Sequence, residues 1–159
     1  MPFQKTVNTN QAPGIAGDSA SLNPRTSYLA GEGELVTGAS GATVGMFAWA
    51  TAAGLVSNTG SGVPSGFLAR ENQAMITAYL GESSNLIPQG QPVTLFTTGD
   101  FWAVTTTVAT RGQKVFANNT TGAIATGAAG ATIAGFTETA WKVGSAGAAG
   151  EVIKITTWS

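Results

Sequence analysis

From Leu35 to Ala69 the chain runs for 35 residues without a charged side chain. A stretch so poor in charge suits a surface that is covered rather than one that faces water. The same economy holds throughout: charged residues make up 9% of the 159 residues, where an average soluble domain carries about a quarter. Seven basic and eight acidic side chains leave a net charge of −1. A free monomer usually keeps itself soluble with interspersed charge and a net charge away from zero. Ala (26), Thr (23) and Gly (22) dominate, and His and Cys are absent. Most of the side chains used for catalysis and metal binding are therefore missing, and the composition suits a structural part of an assembly.

The length fits one domain with a single sizeable core. Seven scattered Lys and Arg do not supply the clustered basic face that phosphate neutralisation needs, so no nucleic-acid partner is expected. The N-terminus Met1-Pro2-Phe3-Gln4-Lys5-Thr6 lacks the apolar core of a secretory signal, which points to synthesis and assembly in a cytoplasm. Without Cys the protein is indifferent to redox conditions. The longest weakly polar run, Thr43 to Val56, is too short and too rich in Thr, Gly and Ala for a membrane span, so no membrane partner is expected.

Residues 1–30 contain Pro2, Pro13 and Pro24 and no sustained hydrophobic period, the pattern of an extended N-terminal arm. Residues 31–159 read as a single β domain of short β-prone runs separated by Gly, Asn and Pro. The fold class is therefore all-β: a small β-sandwich, jelly roll or β-barrel with at most one short helix. Thr43 to Trp49 is one run; Val93 to Thr98 and Phe101 to Val108 are two more, with Gly99-Asp100 suited to a two-residue hairpin between them. Alternation in the second places Trp102, Val104 and Val108 on one face and Phe101, Ala103, Thr105 and Thr107 on the other. A buried Trp102 is expected there.

Arg111-Gly112 marks a turn into Gln113 to Ala117, and Asn118 to Gly122 is a turn leading to Ala123-Ile124-Ala125. Thr132 to Val143 sets Thr139, Trp141 and Val143 opposite Glu138 and Lys142, and Glu151 to Trp158 faces Ile153 and Ile155 together. Glu71 to Leu80 is the one helix candidate, through the i, i+4 pairs Met75 with Tyr79 and Ile76 with Leu80, although its alternation fits a strand equally well.

Carboxylates are the remaining acid or base groups, so a glycosidase-like pair would come from Glu32, Glu34, Glu71, Glu82 and Asp100. Nothing else in the sequence supports one, and no catalytic residue, cofactor or metal site is expected. The glycine cluster Gly60 to Gly66 lacks the spacing of a dinucleotide or phosphate loop, and no Ser is flanked as in a nucleophile elbow. The acids are too dispersed for a calcium site. Trp49, Phe101, Trp102, Trp141 and Trp158 are read as core or oligomer-interface aromatics. The rival is a glycan-binding or tail-adhesion module, which would show a groove lined by two or more exposed Trp.

Five stretches then suggest a family: Gln11-Ala12-Pro13-Gly14-Ile15-Ala16-Gly17-Asp18 continuing to Arg25, Ile87-Pro88-Gln89-Gly90-Gln91-Pro92-Val93-Thr94-Leu95, Thr98-Gly99-Asp100-Phe101-Trp102-Ala103, Gly112-Gln113-Lys114-Val115-Phe116-Ala117-Asn118, and Gly127-Ala128-Ala129-Gly130-Ala131-Thr132. In order and spacing, nearly end to end, the chain resembles tailed-phage structural cement proteins, also called head decoration proteins. That resemblance implies a capsid protein of the virion, on the outer surface of an expanded bacteriophage head, bridging subunits of the major capsid protein as a dimer or trimer. It brings no catalytic residue. Phe3, Lys5, Ile15, Arg25 and Tyr28 are the arm residues expected to contact the capsid.

Overall fold

A computed structural model describes residues 14–71 and 85–158. Thirteen strands follow in order: β1 (Thr26–Ser27), β2 (Val36–Thr37), β3 (Ala42–Thr43), β4 (Phe47–Ala50), β5 (Leu55–Ser57), β6 (Gly66–Leu68), β7 (Leu86–Ile87), β8 (Leu95–Thr98), β9 (Asp100–Val104), β10 (Lys114–Asn118), β11 (Ile124–Gly127), β12 (Phe136–Val143) and β13 (Val152–Thr156). No helix occurs among the described residues; beyond Glu71 the helix candidate lies outside them. The strands form a six-stranded sheet in the order β1-β8-β6-β4-β5-β2, a five-stranded sheet in the order β11-β10-β12-β13-β9, and the small pair β3-β7.

The two large sheets meet over aromatic rings. Phe47, Phe67 and Phe96 come from the six-stranded sheet, Phe101 and Trp141 from the five-stranded one, and all five are buried. Phe67 stands 5.2 Å from Phe101 and 6.0 Å from Trp141, and Phe96 stands 5.2 Å from Phe101, in tilted geometries. Phe47 meets Trp141 edge to face at 6.0 Å. Such offset contacts add to the area term that drives the sheets together. The architecture is a β-sandwich. After β9 the five-stranded sheet curls until Thr105 bridges Ile124, but a single bridge rather than a ladder joins these ends, so the sheet does not close into a barrel.

The charge-free run now has a structural cause. On the far face of the six-stranded sheet, Ala48, Val56, Leu68 and Leu95 join Leu35, Val44, Ile87 and Val93 in a second buried cluster. β4 and β6 are therefore covered on both faces, and every residue of Gly66–Leu68 is buried. A strand buried twice reads as a continuous apolar run instead of an alternating one. Buried threonines keep their hydroxyls satisfied: Thr139 Oγ1 donates to the Val115 carbonyl at 2.8 Å, and Thr105 Oγ1 to that of Thr107 at 2.8 Å.

Several expected elements stand where the sequence placed them. Thr139, Trp141 and Val143 are buried along β12, Ile153 and Ile155 along β13. Asn118 Oδ1 accepts the amides of Thr120 and Thr121, which closes the β10-β11 turn. The Thr43 to Trp49 run is broken by a turn at Gly45 (φ 81°), so β3 and β4 enter different sheets.

The Gly99-Asp100 hairpin is not formed. β8 and β9 belong to different sheets, and Gly99 (φ 137°) is the corner between them, with its N–H donating to Thr157 Oγ1 at 2.9 Å. The inward face of β9 is also the opposite of the one expected: Phe101, Ala103 and Thr105 are buried, Trp102 is half-buried, and Val104 and Val108 are 41% and 68% exposed. Trp102 is roofed instead of buried. Its ring lies against Gly14, where a Cβ would stand 2.3 Å away, and Lys154 Nζ sits 5.0 Å from its centroid.

Residues 14–30 are fastened along this edge as a strap. The Gly17 and Ala20 amides donate to Trp102 and Asp100 carbonyls at 2.7 and 2.8 Å, the Trp102 amide donates to Asp18, and β1 then pairs with β8. The strap thus runs from the edge of one sheet to the edge of the other and covers the unpaired side of β9. Asp100 clasps it: Oδ2 accepts Ser21 Oγ at 2.5 Å and Asn23 Nδ2 at 2.6 Å. Partial burial alone would raise this carboxyl, but hydrogen bonds from Ser21, Thr156 and Asn23 and the charge of Lys154 together hold it below the ordinary aspartate value.

Two outcomes follow from these placements. Phe101→Ala is expected to cost about 3 to 5 kcal/mol in urea denaturation, and Trp102→Ala less than half as much, because its ring is only half-buried. Because the folded Asp100 carboxyl titrates below its unfolded value, its contribution is complete above the ordinary aspartate range and lost as pH falls through the folded value. Melting curves of Asp100→Asn should therefore lie below wild type at neutral pH and converge with it in strong acid.

Candidate interaction surface

Exposed apolar side chains concentrate on the strap. Of ten large hydrophobic residues exposed among those described, four lie between Ile15 and Leu29: Ile15 at 56%, Leu22 at 104%, Tyr28 at 40% and Leu29 at 90%. The cause is local. The strap satisfies its backbone against the edges of the two sheets, and with no second layer outside it, its large side chains point into solvent. Beside Tyr28 an open groove of about 480 Å³ continues the surface, lined by Ala30, Glu34, Leu35, Pro92 and Val93 among others.

Of the expected arm contacts, Ile15 and Tyr28 are on this outer surface. Arg25 is exposed as well; its guanidinium lies 5.0 Å from the Phe96 centroid, and Nη1 donates to Ser19 Oγ at 2.8 Å. It holds the strap down. Phe3 and Lys5 lie outside the described residues. Leu22 and Leu29, the most exposed of the group, were not singled out from the sequence; their signal was a bulky apolar residue inside a Pro- and Ser-rich segment with no period to bury it.

The aromatic residues divide by role. Trp49, Phe101 and Trp141 are core, Trp102 is roofed by the strap, and Trp158 is 44% exposed. Trp158 lines a groove with Arg111 and Lys142, and no other Trp shares it. A groove with two exposed indoles, as a glycan-binding module would require, is not formed among the described residues. Among the described carboxylates, burial that would raise a general acid is not found at Asp100, which is held low, or at Glu32 and Glu34, which are exposed. Glu34 and Glu71 line the same open groove, and Glu82 lies outside the described residues.

The family described as XM1 gp53 minor capsid protein matches residues 3–157. The fold is similar to that of a chain in a solved structure described as "The capsid of Myoviridae Phage XM1", with a TM-score of 0.61 and 19% identity over 99% of this chain and 98% of that one. At that identity the likeness speaks to the fold. No curated protein matches the sequence. Matched over nearly its whole length, the chain belongs to the XM1 gp53 minor capsid protein family and is a structural protein of a bacteriophage capsid.

Proposed function

We propose that the protein is a cement, or decoration, protein that binds the outer surface of the expanded head and bridges neighbouring subunits of the major capsid protein. It acts by binding without turnover, as a dimer or trimer. In this reading residues 1–30 form the capsid-contacting arm and residues 31–159 the body that presents it. The observation that carries the reading is the apolar strap: Ile15, Leu22, Tyr28 and Leu29 face outward from a backbone already fastened to the sandwich.

That fastening sets the energetics. Burying roughly 400 Å² of apolar strap surface would yield on the order of 10 kcal/mol before the costs of association. Because residues 14–30 are hydrogen-bonded to the body, the ordering entropy of their backbone is spent on folding rather than on docking. Rigid contacts of modest individual strength then combine across an oligomer through effective concentration.

The test is co-sedimentation with undecorated expanded heads. Leu22→Ser combined with Leu29→Ser changes two fully solvent-facing positions, so the melting temperature is expected to stay within about a degree or two of wild type, in keeping with the small effects of surface substitutions. Binding is expected to fall at least tenfold. Undiminished binding would place the contact elsewhere on the molecule.

A further inference from the structure

In a chain with so little charge, unspent charge is informative. Lys154 lies over Trp102, Arg25 over Phe96, and Lys114 approaches Glu138 at 4.0 Å. Arg111 and Lys142 instead line one groove of about 290 Å³, and neither has an ion-pair partner among the described residues. Backbone pairing brings them together: the Gly112 amide donates to the Val143 carbonyl at 2.9 Å, which ties the Arg111 turn to the end of β12 beside Lys142. The Trp158 amide donates to Thr156 Oγ1 at 2.9 Å, turning the chain so that the indole forms another wall. Gly112 and Gly144 add no side-chain bulk. Two cations beside an exposed ring, with room between them, suit a segment that brings carboxylates.

The chain carries such a segment. Glu32 and Glu34 are exposed in the loop before β2, and their carboxylates have no hydrogen-bond or ion-pair partner among the described residues. The loop is open to approach: Gly31 to Glu34 are all exposed, and a Cβ added at Gly31 or Gly33 would meet nothing within 4 Å. It precedes the edge strand of the six-stranded sheet, whereas the groove belongs to the five-stranded sheet, and the grooves that Glu34 and Arg111 line have no residue in common. An acidic loop and a basic socket on different parts of one chain make a heterologous contact, the kind that joins copies head to tail and closes into a ring when the rotation permits.

We propose that the Gly31–Glu34 loop of one copy seats in the Arg111–Lys142–Trp158 groove of the next, with the Glu32 and Glu34 carboxylates on the two cations. The proposal deepens the cement reading, since it names the contact through which the oligomer forms. Sedimentation velocity of the full chain tests it. Wild type should self-associate, more weakly as salt rises. R111E/K142E and E32K/E34K should each weaken association at least about tenfold, and the chain carrying all four changes should recover it. All four side chains lie at the surface or partly so, and unchanged melting curves will confirm that each variant folds.

A monomeric wild type, a groove reversal without effect, or a four-change chain that stays dissociated would each overturn the proposal. The last of these would give the groove a partner on this chain other than the Gly31–Glu34 loop. Co-sedimentation with undecorated heads separates this failure from failure of the cement reading. Heads that bind R111E/K142E, whose changes lie away from the strap and its groove, would leave cementing intact, while heads that bind neither wild type nor this variant would leave the loop-to-groove contact to be judged on mass alone.

Discussion

The sandwich depends on one cross-sheet contact, the cluster in which Phe67 touches Phe101 and Trp141 while Phe47 and Phe96 close its sides. These rings are among the largest apolar groups that the two sheets bring to their interface, and a core packed to crystal-like density tolerates few gaps between them. Other features are arranged around the cluster. β9 turns inward at Gly99 to deliver Phe101, and the strap then covers the edge that this crossing leaves open. Asp100, next to Phe101, fixes the strap through Ser21 and Asn23. Folding of the core and placement of the outer apolar surface are therefore linked through two adjacent residues.

Scarcity of charge has two physical sources in this molecule. Part comes from the six-stranded sheet, whose central strands are buried on both faces by the aromatic cluster and by the Leu35-to-Leu95 cluster. The rest is a matter of surface: Leu22 and Leu29 stand fully in solvent on the strap, where a free monomer would gain solubility from charge. For a structural protein of a phage capsid, a surface that is poor in charge and rich in small and apolar groups is one that neighbours can approach closely.

Local chemistry was legible where it decides structure by itself. Asn118 to Gly122 carries its own turn, and the β12 and β13 faces alternate clearly between apolar and charged residues, so period 2 identifies the buried side. β9 is different because both of its faces are apolar: Phe101 and Ala103 on one, Trp102 and Val104 on the other. Alternation cannot choose between them. The choice is made by Gly14 and Lys154, distant in sequence, which roof Trp102. Gly99 likewise signalled a turn correctly, but whether a turn joins two partners or two sheets depends on contacts made elsewhere. Among arm residues Ile15, Arg25 and Tyr28 are all exposed, and the contact of Arg25 with Phe96 is one that no local signal in the sequence announces.

The central claim is that a preformed sandwich presents its strap to the outside of a capsid. An image reconstruction of the particle containing this chain, at a resolution that separates strands, tests it most directly. The expected result is the sandwich on the outer face of the expanded shell, with Ile15, Leu22, Tyr28 and Leu29 against major capsid subunits and residues 14–30 still paired along β8 and β9. Density for the chain inside the head, or on its outside with the strap turned to solvent, would contradict it.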